Sequence, residues 1–299
     1  MSATAGRVPP RSADPPVAAR HATNPDVQVG AGSSAVTLVL PPRLTASAES
    51  LRDAAQRRGL RTIQLRTFEV PAGMHADHLL AGPSFADVVA PLLGIALLEA
   101  APSWLARLPR DLTRREIDLV AIGEAYELRR PVFIKSPNDK NIPAMIYTDG
   151  SRLPGPDAVD RRTPVLVSDI VDFTAEYRLH LLDGVVHAGS QYAEHGRSRL
   201  GPASADALAF GTDLLAGYGH TLPSAIVVDV GLIDGRWAVI EANAAWASGA
   251  YAADPDLVLD VVLRAAGPTA SVSARDRRFI RRPQRPEPAP RPAADSGTR

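Results

Sequence analysis

The stretch Ala225 to Tyr251, AIVVDVGLIDGRWAVIEANAAWASGAY, constrains this chain most. Two β-branched apolar runs, AIVVDV and RWAVIEAN, flank Asp234-Gly235, a dipeptide suited to tight reversal, so the stretch predicts a β-hairpin. Asp229, Glu241 and Asn243 interrupt the apolar runs. Side chains alternate faces along a strand, which puts Glu241 and Asn243 on one face with Trp237 and Val239. A carboxylate inside an apolar strand is costly unless it is paired or bound to a metal. Two readings fit: the solvated face of an antiparallel hairpin, or three oxygen ligands converging on a hard cation such as Mg²⁺. The second needs Asp229 and Glu241 on one face. A two-residue Asp234-Gly235 turn throws them to opposite faces, whereas a three-residue loop, Ile233-Asp234-Gly235, sets them diagonal. The three-residue loop is therefore the expectation, and a bulge in either strand would restore the same parity.

Composition narrows the function classes. Lys+Arg 33 balances Asp+Glu 33 and only 5% of residues are aromatic, which argues against a dedicated nucleic-acid binder. The absence of cysteine excludes a disulfide framework, a thiolate nucleophile and a cysteine-based metal site. Ser190 and Ser248 lie outside any Gly-x-Ser-x-Gly elbow. No leader-like apolar segment opens the chain, and the longest apolar run, Val88 to Leu98, is too short for a membrane span and is interrupted by Pro91 and Gly94. A cytoplasmic protein without a membrane partner is the expectation.

Residues 1–34 and 268–299, the latter carrying RRPQRPEPAPRPAADSGTR, read as disordered tails. Between them, VTLVL at Val36 to Leu40 predicts a buried strand, Ala46 to Arg58 a helix closed by Gly59, and Leu60 to Leu65 a second strand. This spacing predicts an α/β unit with parallel pairing. Ser84 to Ala100 reads as a buried helix broken at Pro91, and Asp111 to Arg129 as a charged helical segment. In it Arg114 and Arg115 are candidate phosphate or substrate contacts, or simply solvated side chains. His75 and His78, without a third ligand nearby, read as surface histidines. Strands follow at PVFIK and TPVLVSDIVDF, a hairpin about Asp183-Gly184, and a helix from Ala203 to Tyr218.

In order, then, the chain carries VFIKSPNDK, VLVSDIV, EYRLHLLDG, VVDVG and VIEAN. That series resembles the ATP-grasp superfamily over about residues 130–251, with looser support from 36–129, and is similar to bacterial members with the pattern VFIKPxxDK, EYR, DVG and EANAxWxSGxY. The resemblance implies an α/β (α+β) protein: an N-terminal pre-ATP-grasp α/β domain at 35–110, then at 111–267 a two-lobed ATP-grasp fold whose antiparallel sheets clasp ATP. It implies roles at matching positions. Lys135 would contact ATP phosphates, with Lys140 close by on a loop. Val167, Ser168, Asp169 and Ile170 would form the hinge that reads adenine, Asp169 standing where the family commonly has glutamate. Glu176 would bind the ribose hydroxyls, and Arg178 the γ-phosphate or a substrate carboxylate. Asp229, Glu241 and Asn243 match the family's Mg²⁺ ligands. Ala245 stands where many members carry an arginine, a charge that Arg178, Arg114 or Arg115 could supply. Trp246, Ser248, Gly249 and Tyr251 fall where the family's substrate loop sits, although core packing explains Trp246 equally well.

The implied activity is ATP- and Mg²⁺-dependent ligation of a small-molecule or peptide carboxylate to an amine (or thiol) through an acylphosphate. The alternative is a nucleotide-binding or regulatory module of the same fold without turnover. A third reading, an α+β protein whose arginine-rich tail binds RNA, is opposed by the neutral charge and low aromatic content.

Overall fold

The computed structural model describes residues 35–282; the tail expected at 1–34 and the last part of the C-terminal one lie outside the described residues. β1 (Thr37–Leu40) is buried along its whole length, as an apolar run in a parallel sheet must be. Thr45 caps α1 (Ala46–Arg57) by accepting from Ala48 N, and Gly59, at φ +78°, closes it as expected. β2 (Arg61–Gln64) and β3 (His78–Leu79) flank β1 in parallel, giving the order β2-β1-β3.

Two of the expected helices form differently. The helix expected over 84–100 is α2 (Pro83–Leu92), which stops just past Pro91; Gly94 then turns left-handed and the remainder is β4 (Ile95–Leu97). The helix expected over 111–129 is two single helical turns separated by a strand. α3 (Arg110–Thr113) lasts one turn before Arg114 enters the left-handed region, β5 (Ile117–Ala121) follows, and α4 (Ile122–Ala125) adds one more turn. Its isoleucine and valine pair against a neighbouring strand, so tertiary pairing overrides a weakly helical pattern.

β6 (Val132–Lys135), β7 (Met145–Tyr147) and β8 (Pro164–Ser168) join β5 in an antiparallel sheet of order β5-β8-β6-β7. A second antiparallel sheet comprises β9 (Ala175–Leu182), β10 (Val185–Glu194), β11 (Arg197–Pro202), β12 (Ala225–Ile233) and β13 (Arg236–Asn243), in the order β11-β10-β9-β12-β13. α5 (Ala205–Tyr218) covers one face, joining a core of Tyr177, Leu179, Leu181, Ile226, Val228 and Val230. A Cβ at Gly211 would stand 2.5 Å from Leu179, so this close helix-to-sheet approach needs glycine. The parallel sheet shares a buried cluster with the second antiparallel sheet, Val39 and Leu79 packing with Ala225, Val227 and Trp246.

The tail expected from residue 268 is instead structured as far as Arg282. α6 (Pro255–Ala265) runs into β14 (Ala266–Pro268), which pairs with β4. Phe279, Asp276 and Arg281 are buried, and Arg281 forms ion pairs with Asp87 (2.7 Å), Glu99 (2.8 Å) and Asp139 (2.6 Å). These anchors follow no apolar period, so the Pro/Arg-rich composition hid them. Among the described residues no helix is long and apolar enough to cross a membrane.

Candidate active site

The hairpin adopts the two-residue turn, not the three-residue loop. Asp234 (φ 49°) and Gly235 (φ 71°) both sit at positive φ between paired Ile233 and Arg236. Parity is restored further along: Val230 pairs with Val239 and Asp229 with Glu241, which leaves Ile240 as a bulge. Asp229 and Glu241 are thus directly opposite on one face, rather than diagonal. The same bulge corrects the expectation for Trp237 and Val239, which join the α5-side core beneath the sheet instead of sharing the face of Glu241 and Asn243.

On the other flank Asp229 pairs with Arg178 of β9, so Arg178, Asp229 and Glu241 form one row across three strands. Arg178 grips Asp229 with a two-pronged contact, Nε to Oδ1 at 2.8 Å and Nη2 to Oδ2 at 2.7 Å. Burial opposes the guanidinium charge, but the field and hydrogen bonds of Asp229 outweigh it, and the Arg178 pKa stands above its usual value. Asn243 Nδ2 donates to Asp229 Oδ2 (3.2 Å) and Glu241 Oε1 (2.7 Å). From the other sheet, Lys135 Nζ at the end of β6 donates to Glu241 Oε2, and burial pulls the ammonium down to about 8.

Two tyrosines complete this face. Tyr192, itself a bulge residue in β10, donates its hydroxyl to Glu176 Oε2 at 2.8 Å, and its ring stacks on Tyr251 with centroids 5.0 Å apart. The Arg178 guanidinium lies 4.8 Å from the Tyr251 ring centroid and 5.9 Å from that of Tyr192. Burial raises the pKa of both Glu176 and the Tyr192 hydroxyl. Sequence reading missed Tyr192 because only an unmarked bulge brings it here. His180, two residues beyond Arg178, is fully buried; neither ring nitrogen has a well-formed hydrogen bond among the described residues, and burial takes it down to about 3.

Val167 and Ser168 end β8, beside β6, and Asp169 closes the junction by bonding Glu116 in both directions: Asp169 N donates to the Glu116 carbonyl (3.1 Å) and Oδ2 accepts from Glu116 N (3.0 Å). Ile170 follows, exposed. Lys140 stands apart from the row, lining a cavity of about 620 Å³ together with Arg178, Ser248, Gly249, Tyr251 and the start of α1. Trp246 also borders it, yet is fully buried and donates Nε1 to the Leu98 carbonyl at 2.9 Å, a core role. His78 Nδ1 lies 2.9 Å from the Ala266 carbonyl oxygen and His75 is exposed. Of the 114–115 pair, Arg114 is left-handed and 3.8 Å from Asp111, while Arg115 is buried on backbone carbonyls.

Among the described residues no three or more His, Asp or Glu side chains form a metal-holding group. The donor set here is two carboxylates and an amide. As oriented, the Asn243 amide donates to both carboxylates, occupying the electrostatic position a cation would take; turned over, it presents a third hard oxygen at the same point. The residues fit a small divalent cation.

Two antiparallel sheets follow one another along the chain, and a lysine at the end of a strand in the first faces a carboxylate row on the second. The chain belongs to the ATP-grasp superfamily: the family model that describes an ATP-grasp domain matches residues 112–261. No curated protein matches significantly. Among solved structures, the chain is similar to a RimK-domain ATP-grasp protein from Sphaerobacter thermophilus (17% identity, 77% of this chain and 100% of that one, TM-score 0.47). It is also similar to the D-alanine–D-alanine ligase of Bacillus anthracis complexed with ATP (14% identity, 77% and 95% covered, TM-score 0.48). A third likeness is to the ATP-grasp ligase PsnB complexed with a minimal precursor (12% identity, 77% and 99% covered, TM-score 0.42).

Proposed function

We propose that this chain is an ATP-dependent ligase that joins a carboxylate to an amine or thiol through an acylphosphate. Residues 111–267 act as the ATP-grasp domain and 35–110 as its preceding α/β domain. Membership of the ATP-grasp superfamily supports ATP-dependent ligation in general. The observation that carries the finer reading is the row Arg178–Asp229–Glu241, faced by Lys135 from the opposite sheet.

ATP enters with its adenine against the backbone of Val167 to Ile170 and its ribose near Glu176. Lys135 leaves Glu241 for the phosphates, which a buried ammonium neutralises better than an exposed one. Asp229, Glu241 and Asn243 are the residues that would hold Mg²⁺, whose chemistry is to neutralise charge on the phosphate oxygens. Arg178, over the Tyr251 ring and held by Asp229, borders the 620 Å³ cavity, where its Nη1, 3.5 Å from the Gly249 carbonyl oxygen, would turn to an anion and Lys140 adds a second cation. A substrate carboxylate oxygen attacks the γ-phosphorus and the bond to the β–γ bridging oxygen breaks, releasing ADP. The amine then attacks the acyl carbon and phosphate leaves. Positioning and charge neutralisation suffice, and no protein nucleophile is needed. Ala245 is buried in the cluster with Trp246, so the charge an arginine supplies at that position in other members falls here to Arg178.

A second reading, nucleotide binding without turnover, is favoured by Ala245, an uncharged residue two positions beyond Asn243; in either reading the space beside Lys135, Leu166 and Glu241, about 10 Å³, must widen before ATP enters. Incubation with ATP, Mg²⁺ and pooled amino acids or small carboxylates separates the two. The ligase reading expects ADP release that depends on an added carboxylate; nucleotide binding without any such release supports the second.

A further inference from the structure

The bulge at Ile240 lies in β13, the edge strand of its sheet, so β12 holds it from one side only. The carbonyls on its free side would point to no strand. Arg115, from the turn between α3 and β5, fills that gap: Nη1 donates to the Val239 carbonyl at 2.9 Å and Nη2 to the Ile240 carbonyl at 2.9 Å. The side chain is itself fixed. Nη1 also donates to the Thr113 carbonyl at 3.0 Å, the Thr113 hydroxyl donates to the Arg115 carbonyl at 2.8 Å, and the Phe173 ring lies 5.4 Å from the guanidinium carbon. The two carbonyls it takes are those of the unpaired residue and of the residue before it.

Register matters here more than elsewhere in the sheet. Continued from the Asp234-Gly235 turn without a bulge, the ladder sets Ile240 opposite Asp229 and turns the Glu241 carboxylate into the apolar core. We propose that Arg115 is a positioning residue: by clamping the Val239 and Ile240 carbonyls it fixes the bulge at Ile240 and so holds Glu241 and Asn243 on the face of Asp229. This rests on the reading of these three as cation ligands. A planar fork reaching two adjacent carbonyls is a task for arginine, and a lysine ammonium satisfies it only in part.

The test uses the full chain carrying Arg115→Met or Arg115→Lys. The first readout is amide hydrogen exchange without ligand. The proposal expects at least ten-fold faster exchange in Arg115→Met across Val239 to Asn243, with β9 and the first half of β12 unchanged, and a smaller effect in Arg115→Lys. The second readout is Mn²⁺ binding in the presence of a non-hydrolysable ATP analogue, followed by electron paramagnetic resonance, expected at least ten-fold weaker in Arg115→Met. Deleting Ile240 makes the pairs Val230–Val239 and Asp229–Glu241 consecutive in a regular ladder, so in that background Arg115→Met should leave Mn²⁺ affinity within three-fold. Uniformly faster exchange across β9, β12 and β13, or failure of both point variants to fold, would make Arg115 a general core residue and overturn the proposal. Unchanged exchange in β13 overturns it equally. If the native chain binds no Mn²⁺ with nucleotide, the cation reading falls, and the exchange pattern still decides whether Arg115 holds the bulge.

Discussion

Asp229 stands directly opposite Glu241 across the β12–β13 ladder because Ile240 drops out of the pairing between them. Two carboxylates so placed repel each other, and three side chains offset that: Arg178 on Asp229, Lys135 on Glu241, and Asn243 donating to both. The protein therefore neutralises this carboxylate pair with its own side chains. Each contact implies a measurable consequence.

Removing Arg178 leaves Asp229 buried and unpaired. Arg178→Met should cost about 3–5 kcal/mol in urea unfolding, the range for breaking one side of a buried ion pair. Arg178→Lys should cost less, since it keeps a charge but loses the two-pronged contact. A loss under about 1 kcal/mol in Arg178→Met would mean that Asp229 is solvated and the row open to water.

His180 gives a pH signature. Its pKa falls from 6.5 to about 3 on folding, because burial excludes the charged ring. Below 6.5 the unfolded chain binds a proton that the native chain refuses, so stability drops as pH falls through that window and is unaffected above it. The slope from this group approaches about 1.4 kcal/mol per pH unit between its two pKa values. His180→Leu should flatten the unfolding free energy between about pH 4 and 6.5 by that amount; an unchanged slope would show that the ring is protonated in the fold.

Arg281 ties the C-terminal segment to Asp87 and Glu99 on one side and to Asp139, in the loop after β6, on the other. Arg281→Met leaves three carboxylates facing one another and should lower stability by about 3–5 kcal/mol at neutral pH. Much of the loss should return at about pH 4, where burial already favours protonated Glu99. A variant as stable as the native chain would return the segment to the status of a loosely held tail.

How far the sequence carried this account depended on whether a signal was local. The hairpins at Asp183-Gly184 and Asp234-Gly235, the capped helix after Thr45 and the strand ending on Lys135 all carry their own markers, and these elements form where expected. The charged stretch 111–129 was misread because pairing with β8 decides it. The bulges at Ile240 and Tyr192 carry no glycine to mark them, so neither the alignment of Asp229 with Glu241 nor the placing of Tyr192 beside Glu176 could be read directly. Arg115 was visible as an arginine but not as a backbone clamp, since its partners are carbonyls more than a hundred positions away.

The central claim is that Lys135 and the Asp229–Glu241 pair form a Mg²⁺–nucleotide site. Calorimetric titration of a non-hydrolysable ATP analogue with Mg²⁺ into the native chain, Lys135→Ala and Glu241→Gln tests it directly. Lys135→Ala also removes the partner of Glu241, so its urea unfolding is measured alongside; the folded variant should lose about 1.5–3 kcal/mol of binding, ten- to a hundred-fold in affinity. Glu241→Gln should weaken binding with Mg²⁺ while changing metal-free binding far less. Native affinity in both variants would contradict the site, and with it the ligase reading built on it.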